Sequence, residues 1–192
     1  MKECFIDVET TGLDPNKHGI IQVAGIIRSD SVERVQTFAF EVKPFKGDLI
    51  NKEALAMHNL KMEDLQKLDE PHKVYGVLTN TFATYVDKFN KADKMLFIAY
   101  NASFDYQFMR KFWEKNGDKY FGSLFWHPYI DVMTLAMFCL QEKRCKMPNF
   151  QLPTVAKELG IEIDENRTHN ALYDISITVK IYDELRKAYG QE

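Results

Sequence analysis

The sequence predicts an α/β domain with a mixed sheet. Three β-rich stretches open the chain, a short apolar run returns near its middle, and the remaining segments carry apolar residues at helical spacing. At 192 residues, one domain over 1–192 is expected from the usual length of about 100–200 residues per domain.

Residues 3–8 (ECFIDV) are rich in β-formers and run into Thr10-Thr11-Gly12 and Asp14-Pro15-Asn16, which reads as a strand and a loop. Residues 20–27 are almost continuously apolar, the pattern of a strand covered on both faces. Ser29-Asp30-Ser31 turns into a third strand, where Phe38, Phe40 and Val42 alternate with Thr37, Ala39 and Glu41. Beyond Pro44 the pattern becomes helical, with short helices at 51–57 and 62–67. A longer one follows at 72–91, carrying Val74, Val77, Leu78, Phe82, Tyr85, Val86 and Phe89. Residues 95–100 (MLFIAY) form a buried strand by their length. Asn101 or Ser103 caps the next helix, whose Phe104, Phe108, Met109, Phe112 and Trp113 recur at three and four. A last short strand is expected near Tyr129 and Ile130. Asp131 then caps a helix with Val132, Leu135, Ala136, Cys139 and Leu140 on one face. A short helix at 151–159 and a long one at 170–189 complete the chain.

Composition excludes several classes. With 45% hydrophobic residues the chain can build a core without staples. No apolar run approaches the roughly 20 residues of a membrane helix, and Asp7 and Glu9 fall where a signal peptide would be apolar. A cytoplasmic protein with no membrane partner is expected. Cys4, Cys139 and Cys145 are odd in number and lack zinc-like spacing, which points to reduced thiols. A net charge of −3 does not advertise a polyanion partner unless bound cations change the sum.

Asp7 and Glu9 lie two apart in a strand, so both project from one face with Cα atoms roughly 6.6 Å apart. Alternating acids often mark only a solvent face. Here Asp7 is flanked by Ile6 and Val8 in a central strand, where unpaired carboxylates would be costly without a cation. The Thr-Thr-Gly loop that follows lets a ligand approach the backbone closely. Asp105 opens a helix right after a buried strand, a position where the helix dipole alone also favours an acid. Asp174 lies in the first turns of the last helix. His169, five residues earlier, would stand about 140° away on one helix at about 100° per residue. It is therefore placed in the loop leading into that helix, free to point at the same site.

The order Asp-x-Glu-Thr-Thr-Gly, then Asn-Ala-Ser-Phe-Asp, then His with four residues to Asp resembles the DEDDh exonucleases of the DnaQ-like family. Within that family the nearest look is to the epsilon-type proofreading exonucleases of bacterial DNA polymerase III. The resemblance spans the chain from Phe5 to the final helix. It implies a ribonuclease H-like fold, a five-stranded mixed sheet flanked by helices, in agreement with the elements above. It also implies that Asp7, Glu9, Asp105 and Asp174 hold two divalent cations and that His169 is the general base for water. An all-oxygen ligand set suits Mg²⁺ or Mn²⁺, and two such ions would carry the net charge past neutrality. A histidine with a reference pKa of about 6.5 can take a proton near neutral pH.

The same resemblance implies substrate contacts. Thr10, Thr11, Gly12 and Leu13 would line the terminal nucleotide, with Leu13 against a base, and Asn101 would face it. Phe104 either stacks on the other side of the base or is a core residue. Met57-His58-Asn59 stands where relatives often carry His-Gly, which brings His58 to the terminal nucleotide. Asn59 departs from that pattern but tolerates a left-handed backbone.

Lys88, Lys91 and Lys94, the pair Arg110-Lys111, and Lys143-Arg144-Cys145-Lys146 read most simply as solvated faces; the last group could border a substrate groove. Residues 120–129 (YFGSLFWHPY) are either a partner surface or the packing of a large loop. The chain ends just past its last helix, which reads as a catalytic domain alone. The expected function is metal-dependent removal of nucleotides from 3′ ends of single-stranded or frayed DNA, in proofreading or repair. RNA trimming, and a non-catalytic nucleic-acid-binding module that has kept the fold, are the alternatives. The expected partners are single-stranded DNA or RNA 3′ ends and, for a proofreader, a DNA polymerase.

Overall fold

Strand β1 (Lys2–Thr10) sends alternate side chains to opposite faces, and this divides the molecule into two cores. Cys4, Ile6 and Val8 enter one hydrophobic cluster and Phe5 the other. The computed structural model describes residues 1–30, 32–164 and 170–189, with backbone alone at 32–34 and 189. Ser31, part of the expected turn after Ser29, lies outside the described residues.

β2 (Ile20–Ser29) pairs antiparallel with β1, and β3 (Val32–Glu41) antiparallel with β2. β4 (Leu96–Ala99) and β5 (Ile130–Asp131) add in parallel on the other side, giving the order β3-β2-β1-β4-β5. This is the five-stranded mixed sheet expected from the sequence.

Helices cover both faces. α1 (Lys52–Met57) is capped by the Asn51 side chain and buries Leu55 beside Ile21. α2 (Pro71–Ala83) and α3 (Ala102–Lys115) bring Leu78, Phe82, Phe108 and Trp113 onto the Cys4, Ile6 and Val8 face. α4 (Val132–Cys139), α5 (Leu152–Glu158) and α6 (Ala171–Tyr189) close the other face, where Ala136, Val155, Ile175 and Ile181 pack with Phe5, Ala24 and Ile98.

The helix expected at 72–91 stops at Ala83. Thr84 and Tyr85 keep only turn-type bonds back to Thr81 and Phe82, and the Asp87 carboxylate then accepts the N–H of Phe89. Such local side-chain bonding competes with a continuing helix. The 62–67 segment is a short 3-10 turn at Asp64–Lys67, and the basic 143–146 stretch lies in another at Gln141–Lys146. Neither Asn101 nor Ser103 caps α3 through its side chain. Asn101 turns the chain through the left-handed region at φ 63°, its carbonyl accepts from the Phe104 N–H, and Ser103 already lies within the helix. Asp131 both ends β5 and caps α4, accepting from the N–H groups of Met133 and Thr134. Residues 120–129 contribute Phe121, Leu124 and Phe125 to the core, while Tyr120 and Trp126 are exposed. Among the described residues, no helix is long and apolar enough to cross a membrane.

Candidate active site

Pairing of β4 to β1 stops at Phe5, so β1 runs on past the end of its neighbour. The backbone N–H of Val8, on that extension, donates to Asp105 Oδ1 at 3.0 Å. Asp105 reaches it because Asn101 reverses the chain directly after β4 and starts α3 at the rim of the sheet. The result is an acid only 3% exposed, fixed to the strand that carries Asp7 and Glu9.

Asp7 and Glu9 follow Phe5 on the α6 face by strand alternation, opposite Ala24 and Gln22 of β2. The pairing becomes irregular immediately after Glu9, where the chain leaves for the Thr-Thr-Gly loop. The start of α6 is set at the same place. Gln22 Oε1 accepts from the Ala171 N–H at 3.3 Å, and Asn170 Oδ1 accepts from the Tyr173 N–H at 3.1 Å. Asp174 comes three residues after Ala171, and its charge is felt at both Asp7 and Glu9.

The electrostatics are those of crowded acids. Burial first, and then Asp174, push Asp7 up to about 7. Burial, then Asp7 and Asp174, push Glu9 up to about 9. Asp105 is held well above the usual carboxylate range by burial and by Asp7, against the lowering effect of its bond from Val8. Among the described residues, no three His, Cys, Asp or Glu side chains are grouped so as to hold a metal ion. The fit to a cation therefore rests on donor chemistry: oxygen donors whose mutual repulsion a divalent ion would relieve. Asp7, Glu9, Asp105 and Asp174 are the carboxylates that supply those donors.

The structure brings His58 to this cluster, with Nε2 3.3 Å from Glu9 Oε2. The left-handed turn needed after it is present, at φ 55° on Asn59. The loop residues divide. Thr11 is fully buried; its hydroxyl donates to the Leu49 carbonyl at 2.7 Å and accepts from the Gly19 N–H at 3.0 Å. Thr10 is also buried and donates to the Gly12 carbonyl. Both threonine side chains thus brace the loop, and Leu13, 84% exposed, is the side chain it presents outward. Gly12 is required by close approach, because a Cβ there would collide with the His18 imidazole. Phe104 is half-buried with its ring centroid 4.8 Å from that of Phe108, and Asn101 is exposed. His169 lies outside the described residues. In the basic stretch, Lys143 pairs with Glu158 at 2.7 Å and Arg144 lies over the Phe150 ring.

Sequence reasoning missed the Val8 N–H and Gln22. Neither carries a motif or a periodic signal, since each acts across a pairing between distant segments.

A family model described as an exonuclease, of the RNase T type, matches residues 4–182. The ribonuclease T of Buchnera aphidicola subsp. Schizaphis graminum is 26% identical, over 92% of this chain and 79% of its own length. That of Shewanella frigidimarina is 29% identical, over 92% and 78%. A PolC-type DNA polymerase III of Thermotoga petrophila is 29% identical over 92% of this chain and 11% of its own. Among solved structures, E. coli exonuclease I in complex with a dT13 oligonucleotide is similar with a TM-score of 0.74 at 20% identity, over 97% of this chain. The zinc-ion-bound form of its single-stranded DNA complex gives 0.77 at 19% identity, over 99%. This chain spans 41% of either exonuclease I chain, and at such identity the likeness is one of fold.

Proposed function

The chain belongs to the DEDDh exonuclease family and is a hydrolase of that family, and from that premise we propose that it trims the 3′ ends of single-stranded nucleic acid. In this reading Asp7, Glu9, Asp105 and Asp174 hold two divalent cations, Mg²⁺ or Mn²⁺. One observation carries it: Asp7, Glu9 and Asp105 are gathered with raised pKa values at the rim where β1 outruns β4, within electrostatic reach of Asp174. When bound, such cations make water more acidic and balance charge on a phosphodiester. Leu13 meets the terminal base, Phe104 faces it from α3, and His58 approaches the terminal nucleotide beside Glu9. His169 takes the proton from water as general base.

Single-stranded DNA is the first substrate of this reading. The ribonuclease T relatives favour a second, in which RNA ends are trimmed. Proofreading beside a polymerase has the PolC-type relative as its support. The deciding experiment is a time course on 5′-labelled DNA and RNA of one sequence, with Mg²⁺ or EDTA and an Asp7→Ala control. A ladder shortening from the 3′ end, abolished by EDTA and by the substitution, supports the reading and ranks the two sugars. A folded protein that binds both strands without cleaving either would replace it with a binding module.

A further inference from the structure

We propose that Lys115 and Asp48 are positioning residues for the substrate's terminal base, acting through the loop that presents Leu13. This rests on the reading above, in which Leu13 meets that base.

Lys115 ends α3, the helix that carries Asp105 in its first turn, about 15 Å away at 1.5 Å per residue. Its Nζ lies 2.5 Å from Asp48 Oδ1, and the pair is largely removed from water, with side chains 21% and 6% exposed. The same ammonium donates to the His18 carbonyl at 3.0 Å, while Asp48 Oδ2 accepts from the Phe45 N–H at 2.9 Å. One cation thus joins three segments: α3, the loop at 11–19 and the loop at 43–51. The two loops are laced further by bonds from the Leu49 N–H to the Lys17 carbonyl and from the Asn51 N–H to the Thr11 carbonyl, at 2.7 and 2.8 Å. Gly19 leaves room for the Asp48 carboxylate, which a Cβ there would strike. The His18 ring in turn packs against Gly12, the residue before Leu13. The position of Leu13 is therefore referred, through His18, to the helix that holds Asp105.

Stability alone does not account for such a pair. Desolvating two charges largely cancels their attraction, and an apolar pair of similar volume is often as stable. Nor does the lysine serve as a phosphate anchor, since Asp48 neutralises it. What a lysine and a carboxylate supply here is direction: fixed donors and acceptors that hold two loops in one register.

The test uses Asp48→Leu combined with Lys115→Met, because Lys115→Met alone would leave a buried carboxylate uncompensated. Leu13→Ala is the reference. Binding of 3′-terminal and 3′-abasic oligonucleotides is measured by anisotropy in EDTA, and their cleavage with Mn²⁺. Wild type is expected to prefer the intact terminal base by about tenfold, the order of one base contact. The double variant, in which the Phe45 N–H and the His18 carbonyl lose these partners, should melt somewhat below wild type, yet lose that preference as fully as Leu13→Ala does, with KM raised and kcat on the abasic strand unchanged. A folded double variant with wild-type preference would overturn the positioning role while leaving the Leu13 reading intact. Leu13→Ala with no effect would overturn both.

Discussion

Asp105 and Val8 are joined by a hydrogen bond in which a strand N–H donates to a helix carboxylate at 3.0 Å. The bond does two things at once. It satisfies a backbone donor that β4 no longer pairs, and it fixes an acid against two others that raise its pKa.

Asp105→Asn separates those two roles, because the amide oxygen can still accept from Val8 while the charge is gone. The metal-free variant is expected to melt at or above the wild-type temperature, and hydrolysis to fall at least about a hundredfold, the scale of losing one charge-stabilising group. Asp105→Ala should instead cost about 1–3 kcal/mol for the stranded N–H. Melting curves with and without Mg²⁺ check both; an Asn variant that Mg²⁺ still stabilises as much as wild type would contradict a ligand role.

The pH dependence of the metal-free protein follows from the raised carboxylates. Asp7 and Glu9 ionise near 3.8 and 4.5 when unperturbed but near 7 and 9 in the fold. Between those limits the unfolded chain loses protons that the folded chain keeps, so their contribution to stability is present below about pH 4 and lost as pH rises through 7 to 9. Denaturation in EDTA from pH 5 to 9 should show falling stability, and saturating Mg²⁺ should flatten the slope. A metal-free profile that rises across this range would show that the acids are not crowded.

Gln22→Leu removes the acceptor that holds the first N–H of α6. Amide exchange at Ala171 should quicken by roughly threefold to tenfold, matching a bond of about 0.5–1.5 kcal/mol. Because Asp174 follows within the same turn, Mn²⁺ affinity should weaken as well. Unchanged exchange at Ala171 would mean that Asn170 alone sets the start of the helix.

At the other end of β1, Glu3 is 5% exposed and accepts from Arg28, from Arg186 at 2.9 Å and from Tyr182 at 3.1 Å. Arg28 also grips Asp183 through both guanidinium arms at 2.9 and 2.6 Å. Arg28→Met should destabilise by about 1–3 kcal/mol, since Glu3 loses one charged partner while keeping Arg186 and Tyr182. Adding Glu3→Gln should recover part of that loss. Activity measured well below the melting temperature should not change, because the network lies far along β1 from Asp7.

The residue order alone determined the sheet and the acids. The β-formers at 3–8, the alternation in 37–42, the apolar run at 20–27 and the helical spacing after Asn101 reflect which side chains must leave water, and local pattern reports that directly. The spacing of Asp7 and Glu9 likewise fixes a common face, and Asn59 was legible as a residue that can turn left-handed. The tertiary structure decided what depends on distant partners. It set the end of α2 at Ala83, the inward turn of both threonine hydroxyls and the pairing of His58 with Glu9. It also decided the bonds from Val8 to Asp105 and from Gln22 to Ala171, and the clasp of Lys115 on Asp48. A hydrogen bond between residues nearly a hundred positions apart leaves no period in the chain, because its energy exists only once folding has brought donor and acceptor within about 3 Å.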